Sequence, residues 1–331
     1  MGALIDADRT NAFGQALRIA YCGYNYYANC LEYLLRREDI RILKIFACEI
    51  GGKQSVSSEI VRLANQYQIP LSFAPIREAD IEELFGRMDC DYILSAGYAY
   101  KIPIGNHRGL NIHPTQLPIG RGAYPFPKII LDGYKESGVT IHKLTDKFDA
   151  GDIVVQCRFS LDEQETEDTL TCKTQTLGPG LLKEWLDNHE ELWDKAKPQG
   201  EGDYWKRPDK AMQTVTPEMT PDQANRVIRA FGSHGVYIKT TVDVWASACV
   251  MCQKEERKEA IGTVLYAQNG FLSMVINGGV LYASRAGKPG QKQSDNSSSI
   301  SQQGKGILNR IRRRIQKMIL LCSRQRVSKY G

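Results

Sequence analysis

The stretch "DYILSAGYAYKIPIGNHRGLNIHPT", residues 91–115, contains two short apolar runs, each ending in a turn of small or polar residues. "DYILSAGY" (91–98) and "GLNIHPT" (109–115) both read as buried strands. Further toward the start, "LRIAYCGY" (17–24), "RILKIFACE" (41–49) and "PLSFAP" (70–75) have the same character. Between them lie helical patterns in "ANCLEYLLRR" (28–37), "SSEIVRLANQYQ" (57–68) and "IEELFGRM" (81–88). Nearly continuous apolar strands alternating with helices predict an α/β fold, a Rossmann-like, mostly parallel sheet covered on both faces. The first turn, "CGYNYYAN", has no GxGxxG, which argues against a dinucleotide whose pyrophosphate must approach that backbone closely. In such sheets a ligand site lies beyond the carboxyl ends of the strands, where Asn111 and His113 fall.

Past residue 115 come a helix in "PFPKIILDGY" (125–134) and two more strands, "SGVTIHKL" (137–144) and "DIVVQCRFSL" (152–161), with "TDKFDAG" (145–151) between them. A long helix, "TEDTLTCKTQTLGPGLLKEWLDNH" (166–189), follows. The Gly, Pro and charge content of "KPQGEGDYWKRPDK" (197–210) predicts a linker. Thr220 is the expected N-cap of a helix with Pro221 in its first position. Five strand-like runs between residues 235 and 286 then predict a smaller β-rich, OB-like domain. The expected divisions are 1–205, 206–287, a polar disordered linker at 288–304 and a basic amphipathic tail at 305–331.

The 331 residues are 42% hydrophobic and 24% charged, enough for one large and one smaller core. The start of the chain is polar without an apolar leader, and its nine cysteines are scattered, so a reducing, cytoplasmic setting is expected. Cys249 and Cys252 form one CxxC, which is half of a zinc site, and two core or strand cysteines is the preferred reading. No run reaches the roughly 18 apolar residues that a membrane-spanning helix requires. The net charge of +5 is concentrated in residues 305–331, whose nine Lys and Arg leave −4 on the rest of the chain.

The chemistry of "NIHP" lies in its pairing of a carboxamide and an imidazole at a strand end. Asn111 can donate N–H to an oxygen that becomes negative in a tetrahedral intermediate. His113 can exchange a proton near neutral pH. A carboxylate that orients the ring and raises its proton affinity is expected from "KFDAGD", where Asp149 and Asp152 both qualify. With no activated Ser or Cys in the motif, direct attack by a substrate nitrogen is preferred over an acyl-enzyme.

The order "NIHP…LP…RGAYP" followed by "GVTIHKLTDKFDAGDIVVQ" resembles the formyltransferase family that uses 10-formyltetrahydrofolate, across about residues 17 to 205. The resemblance implies that His113 moves the proton, Asn111 stabilises the oxyanion and Asp149 tunes His113, with Asp152 structural. It also implies folate contacts from Tyr100, Lys101 and Ile102 and from Thr145, Asp146, Lys147 and Phe148. His142, "WKRPD" and "AYPF" are closer to the enzymes acting on nucleotide-linked amino sugars (dTDP- or GDP-linked) than to methionyl-tRNA formyltransferases, although His142 also reads as a strand residue facing solvent. Expected partners are therefore a sugar nucleotide, a second copy in a homodimer and, through the amphipathic tail, a membrane surface, with nucleic acid only under the tRNA alternative.

Overall fold

The computed structural model describes residues 16–50, 53–232, 234–240 and 244–285. The polar stretch 288–304, the basic tail 305–331 and the Cys249 side chain lie outside the described residues.

Seven strands form the first sheet: β1 (Leu17–Gly23), β2 (Ile40–Ala47), β3 (Leu71–Ser72), β4 (Tyr92–Ala96), β5 (Gly109–His113), β6 (Glu136–Lys143) and β7 (Ile153–Ser160). Their order is β3-β2-β1-β4-β5-β6-β7, parallel from β3 through β5. β6 runs antiparallel to both of its neighbours, β5 and β7. Crossovers are made by α1 (Ala28–Leu35), α2 (Ser58–Gln66) and α3 (Glu78–Gly86). Alternation along β1 explains its unbroken apolar run: Ile19 and Tyr21 enter one buried cluster, and Ala20 and Cys22 enter another on the opposite face. β5 behaves differently, because Leu110 and Ile112 join the first cluster while Asn111 and His113 occupy the other face.

α4 (Phe126–Asp132) precedes β6, and α5 (Glu167–Asp187) and α6 (His189–Asp194) follow β7. Thr166 caps α5 by accepting from the Thr169 N–H, and Glu167 and Asp168 in its first turn suit the positive end of the helix dipole. Inside α5, Gly178 lies against α1, where a Cβ would come within 2.6 Å of the Cys30 sulfur. A glycine is therefore required for the close approach of these helices.

The second sheet contains β8 (Thr214–Val215), β9 (Val236–Lys239), β10 (Val244–Lys254), β11 (Val264–Gln268), β12 (Phe271–Ile276) and β13 (Gly279–Arg285), in the order β11-β12-β13-β10-β9-β8. It is antiparallel apart from the β8–β9 pair. α7 (Pro221–Phe231) begins at Thr220, which accepts from the Gln223 N–H, with Pro221 at the first position as the sequence predicts. Its buried Ala224, Val227, Ala230 and Phe231 share a core with Phe126, Ile129 and Ile130 of α4 and with Met274 and Leu281 of the sheet. The two sheets are thus joined through a common apolar layer.

Residues 197–210 are not a free linker. Lys197 exchanges two backbone hydrogen bonds with Ile153, and the Trp205 N–H donates to the Arg121 carbonyl at 2.7 Å. Gly and Pro content signals irregular backbone, which here is fastened against the first sheet.

Candidate active site

The carboxyl ends of β4 and β5 and the loop from residue 144 to 152 define a cleft at one edge of the first sheet. It is lined by Ser95, Asn111, His142 and Asp149, with Tyr98, Tyr100 and Ile102 from the loop after β4 and Leu144 to Phe148 from the loop after β6. All seven residues expected to contact folate, Tyr100, Lys101, Ile102, Thr145, Asp146, Lys147 and Phe148, line this cleft. Lys101 and Asp146 face each other at 3.6 Å across the two loops, both well exposed, so the pair adds little stability. Phe148 is 53% exposed, an aromatic ring presented at the rim.

Register brings the polar residues together. β4, β5 and β6 set Ser95, Asn111 and His142 side by side, with Ser95 opposite Asn111 and Asn111 opposite His142. Across this row the Asn111 Nδ2 lies 3.1 Å from His142 Nε2 and 3.4 Å from Asp149 Oδ1. His142 Nδ1 is 2.8 Å from the Lys143 carbonyl, which only accepts, so Nδ1 carries a proton and the neutral ring offers a lone pair at Nε2. That lone pair and the Asp149 oxygen both demand a donor, which orients the Asn111 amide with its NH₂ toward them. His142 is 1% exposed, correcting the expectation of a solvent-facing strand residue. The signal that could have found it is the strand pairing, since a histidine opposite Asn111 must share its face.

His113 is buried at the last position of β5, and its Nε2–H donates to the Gly120 carbonyl at 2.8 Å. Its Nδ1 faces Asp149 Oδ1 at 3.5 Å. The other Asp149 oxygen, Oδ2, accepts the Gly122 N–H at 2.8 Å. Asp149 itself stands in the left-handed region at φ +53°, which Asp tolerates better than most residues but which still costs about 1–3 kcal/mol and must be held by its surroundings. Of the two acids the sequence left open, Asp149 enters the site, whereas the Asp152 carboxylate lies 3.9 Å from the Lys143 ammonium and its carbonyl accepts the Lys143 N–H.

Electrostatics depart from expectation at His113. Burial pushes its pKa below the ordinary 6.5, and this outweighs the raising effect of Asp149; nearby His142 lowers it further. A neutral imidazole is favoured, ready to accept a proton at Nδ1. For Asp149, burial alone would raise the carboxyl, but His113, His142 and the Gly122 N–H together hold it well below the usual carboxylate range. The site thus combines a persistent buried carboxylate, an uncharged imidazole beside it and an amide donor next to both. No nucleophilic Ser or Cys side chain lies among the cleft residues other than Ser95, which is 4% exposed. Among the described residues no group of three or more His, Cys, Asp or Glu could hold a metal ion.

Residues 52–186 match the family model described as formyl transferase. The methionyl-tRNA formyltransferase of Lactobacillus gasseri is 31% identical over 200 residues, covering 57% of this chain and 63% of that protein. The match therefore spans less than two thirds of that relative's own length. Among solved structures, the N-formyltransferase from Helicobacter canadensis in complex with folinic acid and dTDP-3-aminofucose superimposes with a TM-score of 0.60 at 17% identity, covering 82% of this chain and all of that one. HypX from Aquifex aeolicus in complex with tetrahydrofolic acid gives 0.57 at 18% identity, over 81% of this chain and 44% of that one. At such identities the likeness is one of fold, a mostly parallel sheet with helices followed by a mostly antiparallel sheet.

Proposed function

We propose that this chain transfers the formyl group of 10-formyltetrahydrofolate to the primary amine of a nucleotide-linked amino sugar. The observation that carries the reading is the meeting of Asn111, His113 and Asp149: Asn111 and Asp149 line a cleft walled by the 98–102 and 144–149 loops, and His113 is buried against Asp149. The formyl carbonyl sits beside the Asn111 NH₂, and the acceptor amine attacks its carbon directly. As the tetrahedral intermediate forms, the carbonyl oxygen becomes negative and is stabilised by the Asn111 N–H that, in the free site, makes only the long 3.4 Å contact with Asp149 and turns from it to the oxyanion. His113, neutral because it is buried, takes the proton released by the attacking nitrogen. The imidazolium so formed is balanced by Asp149, and it returns the proton to the departing folate nitrogen as the carbon–nitrogen bond breaks. Products are the N-formyl sugar nucleotide and tetrahydrofolate. The pterin is received by Tyr100, Lys101 and Ile102 on one side and Thr145, Asp146, Lys147 and Phe148 on the other.

Support for a sugar acceptor comes from His142, "WKRPD" and "AYPF" in the sequence, and the coverage of the whole Helicobacter canadensis chain agrees with it. A second reading, methionyl-tRNA as acceptor, is favoured by the name of the 31% identical relative. A homodimer, a cytoplasmic setting and a peripheral membrane contact through residues 305–331 belong to the first reading. The domain division near residue 205 is part of the same proposal. Incubation of the purified protein with 10-formyltetrahydrofolate and either a panel of dTDP- and GDP-linked amino sugars or charged initiator tRNA separates the two. Formylation of the tRNA with every sugar left unmodified would replace the first reading by the second.

A further inference from the structure

The side chain of Gln199 is saturated by groups that belong to the proposed site. Its Nε2 donates to the Asp149 carbonyl at 3.0 Å and to the Gly151 carbonyl at 2.5 Å. Its Oε1 accepts from Arg121 Nε at 2.9 Å. Only a carboxamide satisfies this set, because the two carbonyls require donors and the guanidinium requires an acceptor. The segment around Gln199 is fixed on both sides. Lys197 pairs with Ile153, and Arg121 donates to the Gly200 carbonyl at 3.0 Å and to the Gly202 carbonyl at 2.9 Å. Where Gly122 passes Trp205, a Cβ would come within 2.2 Å of the Trp205 carbonyl oxygen.

The residues on either side of Gln199 are the ones His113 depends on. Arg121 stands between Gly120, whose carbonyl takes the His113 Nε2–H, and Gly122, whose N–H takes Asp149 Oδ2. Asp149 is the residue held in the left-handed region, and Gln199 grips its carbonyl directly. We infer that Gln199 is a positioning residue of this site: its amide clamps the Asp149 backbone and the Arg121 loop in one arrangement, and so keeps the carboxylate facing His113. The inference rests on the proposed formyl transfer for its consequence in turnover, and on geometry alone for its consequence at His113.

The test is Gln199→Met, which conserves length and volume while removing all three hydrogen bonds. His113 is titrated by NMR in the protein without substrates, next to Asp149→Asn as a calibrant. The groups facing the ring are Asp149, His142 and the Gly120 carbonyl; Asp149 is the larger support of its protonated form, the Gly120 carbonyl adds to it, and His142 opposes it. The expected result is a His113 midpoint lowered in the same direction as in Asp149→Asn, with a folded spectrum, and a kcat decreased about 10- to 100-fold with the folate KM nearly unchanged. Should Gln199→Met fail to fold, Arg121→Lys, which keeps the charge and loses the Nε contact, is expected to move the midpoint the same way by less. An unshifted or raised midpoint in the folded variant overturns the inference. Because the midpoint is read without folate or acceptor, failure of the formyl-transfer reading would leave this result intact, and the two failures are distinguishable.

Discussion

His113 is a buried imidazole with a carbonyl at one nitrogen and a carboxylate at the other, and its folded pKa lies below the 6.5 of an exposed ring. Below about pH 6.5 the unfolded chain takes up a proton that the folded ring resists, so stability falls as pH drops through that value. Asp149, whose folded pKa is depressed, stabilises the fold above its ordinary 3.8 and loses that contribution as pH falls further. Denaturant melts across pH should therefore show stability declining from 6.5 downward, and His113→Gln should flatten the first part of that decline. The acid limb of kcat/KM should likewise lie below 6.5 and move lower still in Asp149→Asn, where the ring loses its anionic support. An acid limb unchanged by that substitution would separate Asp149 from the proton transfer. Asn111→Ala, measured at saturating folate, should lower kcat by about 10² to 10³ through loss of one oxyanion donor. These residues were partly legible in the sequence. Asn111 and His113 are two apart on one strand, a spacing that reads directly as one face. Asp149 and Asp152 are equally placed in "KFDAGD", and what separates them, the left-handed backbone and the Gly122 N–H, is made by a distant loop. The place of His142 beside Asn111 is not legible in the sequence, because its partner is named only by cross-strand register.

At the scale of elements, the site is a product of how strands end. β5 delivers Asn111 and His113 at its carboxyl end, β6 delivers His142 beside them, and the loop between β6 and β7 turns back to supply Asp149. The apolar runs of β1, β2, β4 and β5 identified the parallel half of the sheet, since burial on both faces leaves a continuous pattern. Nothing in such a pattern records chain direction, so the antiparallel placement of β6 between β5 and β7 is visible only in the pairing. β8, with two residues, is too short for any periodicity to register. The fastening of residues 197–205 was hidden for another reason: its bonds are amide and guanidinium contacts with backbone carbonyls, made to loops about 50 to 80 residues earlier. Gly122→Ala tests the fit of these loops. At φ +121° and with a carbonyl 2.2 Å from the new Cβ, the loop must shift and take its N–H away from Asp149. A lowered thermal midpoint and a kcat at least about ten-fold down are expected from such a displacement, and full activity would show that the Gly122–Asp149 contact is dispensable.

In the whole molecule, the second sheet is bound to the first through the core shared by α4 and α7, and the "AYPF" run lies in that junction, with Phe126 buried in it and the Tyr124 hydroxyl donating to Glu167. No helix among the described residues is long and apolar enough to cross a membrane. If residues 305–331 attach to an anionic surface, the protein should sediment with vesicles containing phosphatidylserine at low salt and be released as salt rises, whereas a chain ending near residue 287 should stay in solution. The reaction itself is tested most directly by a single-turnover experiment. Wild-type and His113→Ala protein are mixed with 10-formyltetrahydrofolate and a dTDP-linked amino sugar, and tetrahydrofolate and N-formyl product are quantified together. Equal amounts of both are predicted from the wild type, at a rate reduced by about 10² to 10⁴ in His113→Ala. Tetrahydrofolate released without N-formyl product, or equal rates from the two proteins, would contradict it.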